Sequence, residues 1–295
     1  MKATYFRLGS SALLLALAAA CSPLGQRTAP APTSTAQSDA TATRDANLAL
    51  GNPSGATADA TNYPNNYLLA KSQYTMSYSR DQGKPNWVSW HLSSAWLGST
   101  ARQDNFAADA TLPSGWYRPG STSYSGSGFD RGHNCPSADR TGSVADNSAT
   151  FLMSNMMPQA PTNNQQTWAN LENYCRTLVS AGNELYIIAG SYGRGGTGTN
   201  GAASTIDGGR VTVPSNCWKV VVVLPVGTSD ASRITSSTRV IAINTPNTNS
   251  ISTSWGSYRT TVDAIENATG YNLLSAVSST VQSSIESKVD TGPTN

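Results

Sequence analysis

Four consecutive residues, Asp130-Arg131-Gly132-His133, place a carboxylate, a guanidinium and an imidazole in one short segment. A histidine can take a proton from water near neutral pH, and an arginine can hold phosphate oxygens through paired donors. The sequence has only two histidines. We interpret the other, His91, as structural because it follows Trp90 in a strand pattern. A solvated loop histidine beside an Asp–Arg pair would also explain one such motif, so further residues must decide.

A second group of polar residues lies further along the chain. If a helix begins near Asn164, then Asn164, Glu172 and Arg176 fall within about 120° of one another around its axis. Asn164 and Glu172 would be about 12 Å apart along the axis, too far for both to bind one ion directly. This spacing suits a hydrated Mg²⁺, which keeps several waters and needs few protein ligands. We expect Asn155 and Asn163 to serve in turns or caps.

The hydrophobic pattern predicts the strands that must position these residues. Apolar residues alternate from Tyr74 to Tyr78 and from Val88 to Leu92 around a turn sequence, which predicts a β-hairpin. Runs of β-branched residues at 185–189 and 220–226 predict central strands covered on both faces, and residues 240–243 predict a further strand.

Helices are predicted later in the chain. Apolar spacing from Trp168 to Leu178 predicts one helix, and another begins at Asp263, where Asp and Glu three residues apart fit an N-cap arrangement, and stops at Gly270. A last helix is predicted over Thr280 to Val289. Strands followed by helices indicate a single α+β domain around a mainly antiparallel sheet.

Several ordered blocks of the sequence resemble one known family. The segments Phe129–His133, Thr150–Gln159 and Asn164–Glu172 are similar to the DNA/RNA non-specific endonuclease family of the ββα-metal fold, typified by Serratia nuclease. The likeness covers nearly all of residues 60–290. It implies an α+β fold with a central, mainly antiparallel sheet flanked by helices. It also implies an endonuclease that cleaves DNA and RNA without marked sequence or sugar preference and leaves 5′-phosphate ends.

The resemblance implies a role for each polar residue of these blocks. His133 would be the general base that deprotonates the attacking water. Asn164 would be the one direct protein ligand of a hydrated Mg²⁺ or Mn²⁺, and Glu172 would act on that ion through water. Asp130 would have a supporting role. Three arginines would bind the scissile phosphate: Arg102, Arg131 and Arg176.

The cysteines depart from the family pattern. Cys135 and Cys217 stand where we expect no cysteine, and with Cys175 they make an odd number once Cys21 is set aside. We predict a Cys135–Cys217 disulfide, with Cys175 a buried free thiol. The alternative is that all three are reduced core residues.

The beginning of the chain predicts export. Residues 1–20 have a basic start, a short apolar run and small residues at the end, which is the layout of a secretory signal. Cleavage after Ala20 and lipid attachment at Cys21 both remain open. Residues 21–60 predict a disordered Ala/Thr/Ser/Pro-rich tether, followed by the nuclease domain at 61–290 and a tail at 291–295. The expected location is secreted, periplasmic or on the surface of a bacterial cell.

Charge excludes a protein held on nucleic acid by bulk attraction alone. The chain has 19 basic and 17 acidic residues, and without residues 1–20, which contain Lys2 and Arg7, the two numbers are equal. Arg194 and Arg210 are expected in solvated loops rather than in a nucleic-acid groove. Two alternatives to the nuclease remain: a phosphodiesterase for smaller substrates, and an inactive surface lipoprotein that binds nucleic acid or cell-wall material. By resemblance, the expected partners are DNA, RNA and a polypeptide nuclease inhibitor.

Overall fold

The computed structural model describes residues 41–295. The predicted signal segment 1–20, the lipidation candidate Cys21 and residues 22–40 of the predicted tether lie outside the described residues. Within 41–295, no helix has both the length and the apolar character needed to cross a membrane.

The described chain contains thirteen strands and five α-helices, together with shorter helical turns. The strands are β1 (Tyr67–Ala70), β2 (Thr75–Ser79), β3 (Lys84–Leu92), β4 (Asp130–His133), β5 (Met156–Gln159), β6 (Asn183–Tyr192), β7 (Gly196–Gly198), β8 (Gly201–Ala203), β9 (Thr205–Ile206), β10 (Val211–Thr212), β11 (Asn216–Pro225), β12 (Arg239–Pro246) and β13 (Arg259–Thr260). The α-helices are α1 (Val144–Ala149), α2 (Ala169–Ser180), α3 (Asp230–Arg233), α4 (Val262–Thr269) and α5 (Ser279–Ile285). A π-helical turn, Asn163–Trp168, leads directly into α2, and 3₁₀ turns cover Ser94–Trp96, Ser137–Asp139, Met153–Asn155, Asp207–Gly209 and Trp255–Tyr258.

Seven strands form one antiparallel sheet in the order β1-β2-β3-β6-β11-β12-β13. β6 and β11 pair along their whole length near its centre, and most of their residues are buried, as their β-branched sequences predict. β2 and β3 are the predicted hairpin. The α+β prediction with a central antiparallel sheet is therefore confirmed.

The sheet is covered on both faces. On one face, Val88 of β3 belongs to a buried cluster with Met157 of β5 and Trp168 before α2. On the opposite face, Trp218 of β11 belongs to a second cluster with Ile265 of α4. The β4–β5 hairpin and α2 therefore lie on one side of the sheet, and α4 on the other.

Residues 41–60 are ordered, which corrects the expected end of the tether at residue 60. Leu50 and Ala56 are buried against the second face of the sheet, and Thr57 pairs with Tyr67 of β1. The local composition favours disorder, but these apolar side chains gain burial from a core that the rest of the chain has already formed. The folded domain therefore begins well before residue 61.

The start of α4 differs from its prediction. Thr261, rather than Asp263, caps the helix: its hydroxyl accepts the Ala264 N–H at 3.0 Å. Asp263 instead lies in the first turn, where a negative charge is favoured. The helix ends at Gly270 with φ +75°, as predicted.

The last helix is shorter than predicted. α5 covers Ser279–Ile285 and does not reach Val289. Beyond it the chain brings Asp290 to Arg239 of β12, where the carboxylate and guanidinium are 2.8 Å apart. The local pattern of helix-forming residues could not predict this ion pair, because its two residues are far apart in sequence.

The predicted Cys135–Cys217 disulfide is absent from the described residues. Cys135, Cys175 and Cys217 are all free and buried. Burial raises the pKa of each thiol to about 12, which leaves them protonated and unreactive. Cys135 and Cys217 both belong to the buried cluster on the first face of the sheet, with no bond between them. The alternative of reduced core cysteines is the one observed.

Candidate active site

The β4–β5 hairpin fixes the backbone of His133, which is the last residue of β4. Gly132 packs so closely on β5 that an added Cβ would lie 2.7 Å from the Cβ of Gln159. Asn155 ties the chain after β4: its Oδ1 accepts the Cys135 N–H at 3.1 Å, and its Nδ2 donates to the Cys135 carbonyl at 2.8 Å. Asn155 therefore serves a turn, as predicted.

The His133 ring lies beside two phenylalanine rings. Its centroid is 5.1 Å from that of Phe151 and 5.7 Å from that of Phe106, both in edge-to-face geometry. The residue as a whole is partly exposed, yet its Nε2 atom is buried and has no hydrogen-bond partner in the described part of the chain. An unpartnered imidazole nitrogen of this kind is available to accept a proton.

The surroundings keep His133 neutral. Burial, with the charges of Arg102 and Arg131 acting in the same direction, lowers its pKa from 6.5 to about 3. At neutral pH the ring is therefore in the form that can act as a base. An anionic phosphate between the two arginines would offset their charge and raise the pKa of the imidazole again.

Asn164 lies on the π-helical turn and not on a regular α-helix, which corrects the predicted angular spacing to Glu172. Such wide turns are frequent at functional sites. Asn164 Nδ2 donates to Asp130 Oδ2 at 2.8 Å, and Gln165 Nε2 donates to the same oxygen at 2.9 Å. Because the amide nitrogen is held by Asp130, the amide oxygen of Asn164 is the atom left for a cation.

Glu172 faces a buried lysine to which sequence analysis assigned no role. Lys219 Nζ lies 3.0 Å from Glu172 Oε1 and 4.2 Å from the ring centre of Trp168. Burial raises the pKa of Glu172, and the charge of Lys219 acts in the opposite direction. The sequence contained a signal for a buried lysine, because a single lysine stands before an unbroken run of valines, 220–223, in a central strand.

Each of the two phenylalanines beside His133 also packs against an arginine. The Arg131 guanidinium lies 3.7 Å from the ring centre of Phe106, and that of Arg102 lies 4.8 Å from that of Phe151. Neither phenylalanine received a role in the sequence analysis, because packing on a ring cannot be inferred from spacing. The rings therefore bring both guanidinium groups close to His133.

Five of the predicted site residues line one open cavity of about 220 Å³: Arg102, Arg131, His133, Asn164 and Glu172. A second cavity of about 350 Å³ shares Arg102, Arg131 and Asn164 with it and is also lined by Asp130. We call these two adjoining cavities together the cleft. The residues brought together are an imidazole, two guanidinium groups, an amide and two carboxylates.

Arg176 lines neither part of this cleft. Its Nη1 lies 2.8 Å from Asp139 Oδ1, and its Nη2 donates to Asn173 at 2.6 Å. The other Asp139 oxygen accepts the Trp90 indole N–H at 3.0 Å. In this conformation Arg176 anchors the Ser137–Asp139 turn beside the cleft, and its predicted contact with phosphate stays a prediction.

His91 has a structural environment, as expected. Its Nδ1 accepts the Asp45 N–H at 3.3 Å, and its Nε2 lies 3.2 Å from Glu184 Oε2. Asp45, His91 and Glu184 form one of two groups within 41–295 whose ligand atoms are close enough to hold a metal. Glu184 also accepts bonds from Arg233 and the Gly227 backbone. With both ring nitrogens engaged, this group is an internal hydrogen-bond network.

The other polar residues named from the sequence also lie outside the cleft. Arg194 is exposed in the turn after β6, and Arg210 is exposed and paired with Asp207 at 2.7 Å, in agreement with solvated loops. Asn163 is buried and donates to Thr245 Oγ1 at 3.2 Å. It therefore packs the π-helical turn against β12.

Comparison with known proteins decides the family. The family of DNA/RNA non-specific endonucleases matches residues 52–280. The chain belongs to this family. The protein is therefore a nuclease, a phosphodiester hydrolase that acts on DNA and RNA, and members of the family depend on a metal ion.

This nuclease has relatives in bacteria and in mitochondria. It is 50% identical over 284 residues to a nuclease of Nostoc sp. (strain PCC 7120), covering 96% of this chain and 98% of the relative. The resemblance to the non-specific endonuclease family that the sequence indicated is thereby confirmed. Human mitochondrial endonuclease G is 30% identical over 166 residues, which is 54% of this chain and 56% of the relative.

A solved structure supports the fold. The crystal structure of the EndoG/EndoGI complex matches with a TM-score of 0.62 and 22% identity, over 79% of this chain and 91% of that chain. At this identity the match shows the ββα-metal fold of the nuclease.

Proposed function

We propose that this nuclease uses His133 as its general base and Arg102 and Arg131 to hold the scissile phosphate, leaving 5′-phosphate ends. One observation carries the proposal. His133, whose Nε2 has no hydrogen-bond partner among residues 41–295, lines the same cavity as Arg102, Arg131, Asn164 and Glu172. A structural histidine would have its ring nitrogens engaged, as His91 has.

The charges suit attack on a phosphodiester. Neutral His133 takes a proton from a water beside the phosphate, and the imidazolium that forms is stabilised by the negative charge next to it. Arg102 and Arg131 donate to phosphate oxygens, whose charge grows as the bond to the leaving oxygen breaks. Phe106 and Phe151 keep bulk water away from the ring nitrogen.

The residues also fit a hydrated Mg²⁺ or Mn²⁺. Asn164 offers an amide oxygen held in place by Asp130, and Glu172 offers a carboxylate beside Lys219; hard divalent ions favour such oxygen donors. Asn164 would be the direct ligand, with Glu172 acting through water and Asp130 as a positioning residue. The bound ion supplies positive charge that stabilises the phosphate and the departing 3′ oxygen.

The second cavity of the cleft favours a polymeric substrate over a small phosphodiester. The 350 Å³ cavity extends beyond the 220 Å³ cavity from the shared residues Arg102, Arg131 and Asn164, so it offers space for nucleotides next to the cleaved bond. Rates on long DNA and on dinucleotides separate these substrates. We expect long DNA to be cleaved at least tenfold faster.

We also propose that the nuclease is exported and that a polypeptide inhibitor can cover its cleft. Export rests on the sequence of residues 1–20 alone, with Cys21 either free or lipidated. The proposal of an inhibitor rests on the similar fold of EndoG. The crystal structure of EndoG was solved in complex with EndoGI and describes the mechanism of EndoG inhibition. The mass of the mature N-terminal peptide from the native host distinguishes cleavage from lipidation.

Digestion of plasmid DNA and of RNA tests the proposed site. The wild type should degrade both with Mg²⁺ or Mn²⁺ and neither with excess chelator. Asn164→Ala should need more than about 100-fold more metal for half-maximal activity, or lose activity altogether, because loss of a direct ligand costs more than loss of an outer-shell partner. Arg194→Ala, which alters an exposed arginine outside the cleft, is the matched control and should behave as wild type. An unchanged metal requirement in Asn164→Ala would refute the assignment.

A further inference from the structure

Three carboxylates meet where α4 and α5 come together. Asp263 and Glu266 belong to α4, and Glu286 follows the last residue of α5. The Asp263 N–H donates to the Glu286 carbonyl oxygen at 3.1 Å, which holds the two helices in register. One ligand oxygen from each of the three carboxylates lies within 4.8 Å of the other two.

One of these carboxylates is buried with an unused oxygen. Glu286 is 5% exposed, and its Oε1 has no hydrogen-bond partner in the structure of residues 41–295. Glu266, by contrast, accepts the Leu273 N–H at 2.7 Å. A buried carboxylate oxygen without a partner is costly, so some group outside the described chain is expected to satisfy it.

No basic side chain of the described region neutralises the group. Within residues 41–295, no lysine, arginine or histidine forms a salt bridge with Asp263, Glu266 or Glu286. Lys288, the nearest lysine along the chain, directs its ammonium to the Ser236 carbonyl at 2.9 Å. The three carboxylates therefore concentrate negative charge in a partly buried position.

The donor set identifies the kind of ligand. All the donors are oxygens, which hard cations prefer to imidazole or thiolate sites. Mg²⁺ is usually held by one or two carboxylates and keeps several waters, whereas Ca²⁺ takes about six to eight oxygen ligands and accepts several carboxylates, so a group of three carboxylates fits Ca²⁺.

We propose that Asp263, Glu266 and Glu286 form a Ca²⁺ site that ties α5 to α4. The site is distinct from the nuclease cleft, because α4 packs on the opposite face of the sheet from α2 and the β4–β5 hairpin. Ca²⁺ at this position satisfies the buried Glu286 oxygen and joins the end of the chain to the domain. Its effect is on stability and not on the chemical step.

Thermal unfolding of the metal-stripped full chain tests the site. The Asn164→Ala variant serves as background, because it lacks the proposed metal ligand of the nuclease cleft. Any rise in Tm that Ca²⁺ causes in this variant therefore comes from binding at another site. Ca²⁺ at about a hundredfold above its dissociation constant should raise the Tm of this background by about 5–10 °C. Calorimetric titration with CaCl₂ should give one site.

Adding Glu286→Gln to this background should abolish both the Tm rise and the calorimetric site. Without Ca²⁺ it should unfold at the same temperature or higher, because it removes charge repulsion, and this shows that the variant folds. Adding Asp81→Asn is the matched control, because Asp81 is an exposed carboxylate far in sequence from the three proposed ligands. This variant should keep the full Ca²⁺ response. If Glu286→Gln is too unstable to measure, Asp263→Asn replaces it with the same expectation. Equal Ca²⁺ responses with and without the substitution, or no response in the background, would overturn the proposal.

Discussion

Lys219 Nζ lies 3.0 Å from Glu172 Oε1, and the lysine side chain has no exposed surface. The ammonium is packed over the rings of Trp168 and Trp90. Glu172 is the carboxylate proposed to act on the metal, and its burial favours protonation. The positive charge of Lys219 therefore opposes the protonation of Glu172 that burial favours.

Replacing Lys219 with Met should weaken both stability and activity. The buried Glu172 would lose its partner, which costs about 3–5 kcal/mol of unfolding free energy in comparable pairs. The pKa of Glu172 would rise, so activity at limiting Mg²⁺ should fall at least tenfold at pH 7 and recover as the pH increases. Chemical denaturation and metal titrations at several pH values measure the two effects.

The double variant Lys219→Met/Glu172→Gln separates these effects. It has no unpaired buried charge, so it should regain most of the lost stability while remaining inactive. Recovery of activity together with stability would show that Glu172 has no part in the reaction.

Asp130→Asn should loosen the proposed metal ligand. The substitution replaces the charged acceptor that holds Asn164 Nδ2 at 2.8 Å with a neutral amide, and we expect about 10- to 100-fold weaker metal binding. Gln165→Ala is the matched control, because it removes only the other donor to Asp130 and leaves the Asn164 bond intact. The metal concentration for half-maximal activity is the measurement. Equal effects of the two variants would argue against positioning by Asp130.

Phe106→Ala should change the pH dependence of the reaction. Removing this ring opens His133 to water, and since burial is the main cause of its low pKa, that pKa should rise toward 6.5. The base would then be protonated at pH 5–6, where the wild type keeps it neutral. The acid limb of kcat/KM at saturating metal should move to higher pH. An unshifted limb would contradict the role given to the ring.

Lys84 should make stability depend on pH. Its Nζ is fully buried, its one bond, 3.4 Å long, goes to the Pro85 carbonyl, and burial lowers its pKa from 10.5 to about 8. Between pH 8 and 10.5 the unfolded chain binds more protons than the folded one, so this residue's contribution to stability rises with pH by up to about 3 kcal/mol. Lys84→Met should be more stable than wild type at pH 7 and lose this advantage by pH 10.5. A difference that stays constant with pH would contradict the prediction.

The strands and the cleft residues were accessible from the sequence for different reasons. Alternation and β-branched runs predict β2, β3, β6, β11 and β12, because burial of a sheet imposes that local pattern. His133, Asn164 and Glu172 could be named from ordered motifs, and the structure places all three on one cavity.

What local patterns miss is set by distant packing. The π-helical turn at Asn164, the Lys219–Glu172 pair and the phenylalanines beside His133 depend on contacts between segments far apart in sequence. The ordering of residues 41–60 has the same cause, since Leu50 packs on a core formed elsewhere. The predicted disulfide was wrong because an odd cysteine count gives no information about where each thiol faces.

The catalytic rate of His133→Ala on plasmid DNA, at saturating Mg²⁺ and neutral pH, tests the central claim most directly. Removal of a general base that acts in the rate-limiting step should lower the rate by about 10²–10⁴-fold, with the metal requirement unchanged because Asn164 and Glu172 remain. Circular dichroism checks that the variant is folded. A rate within tenfold of wild type would contradict the account of this site.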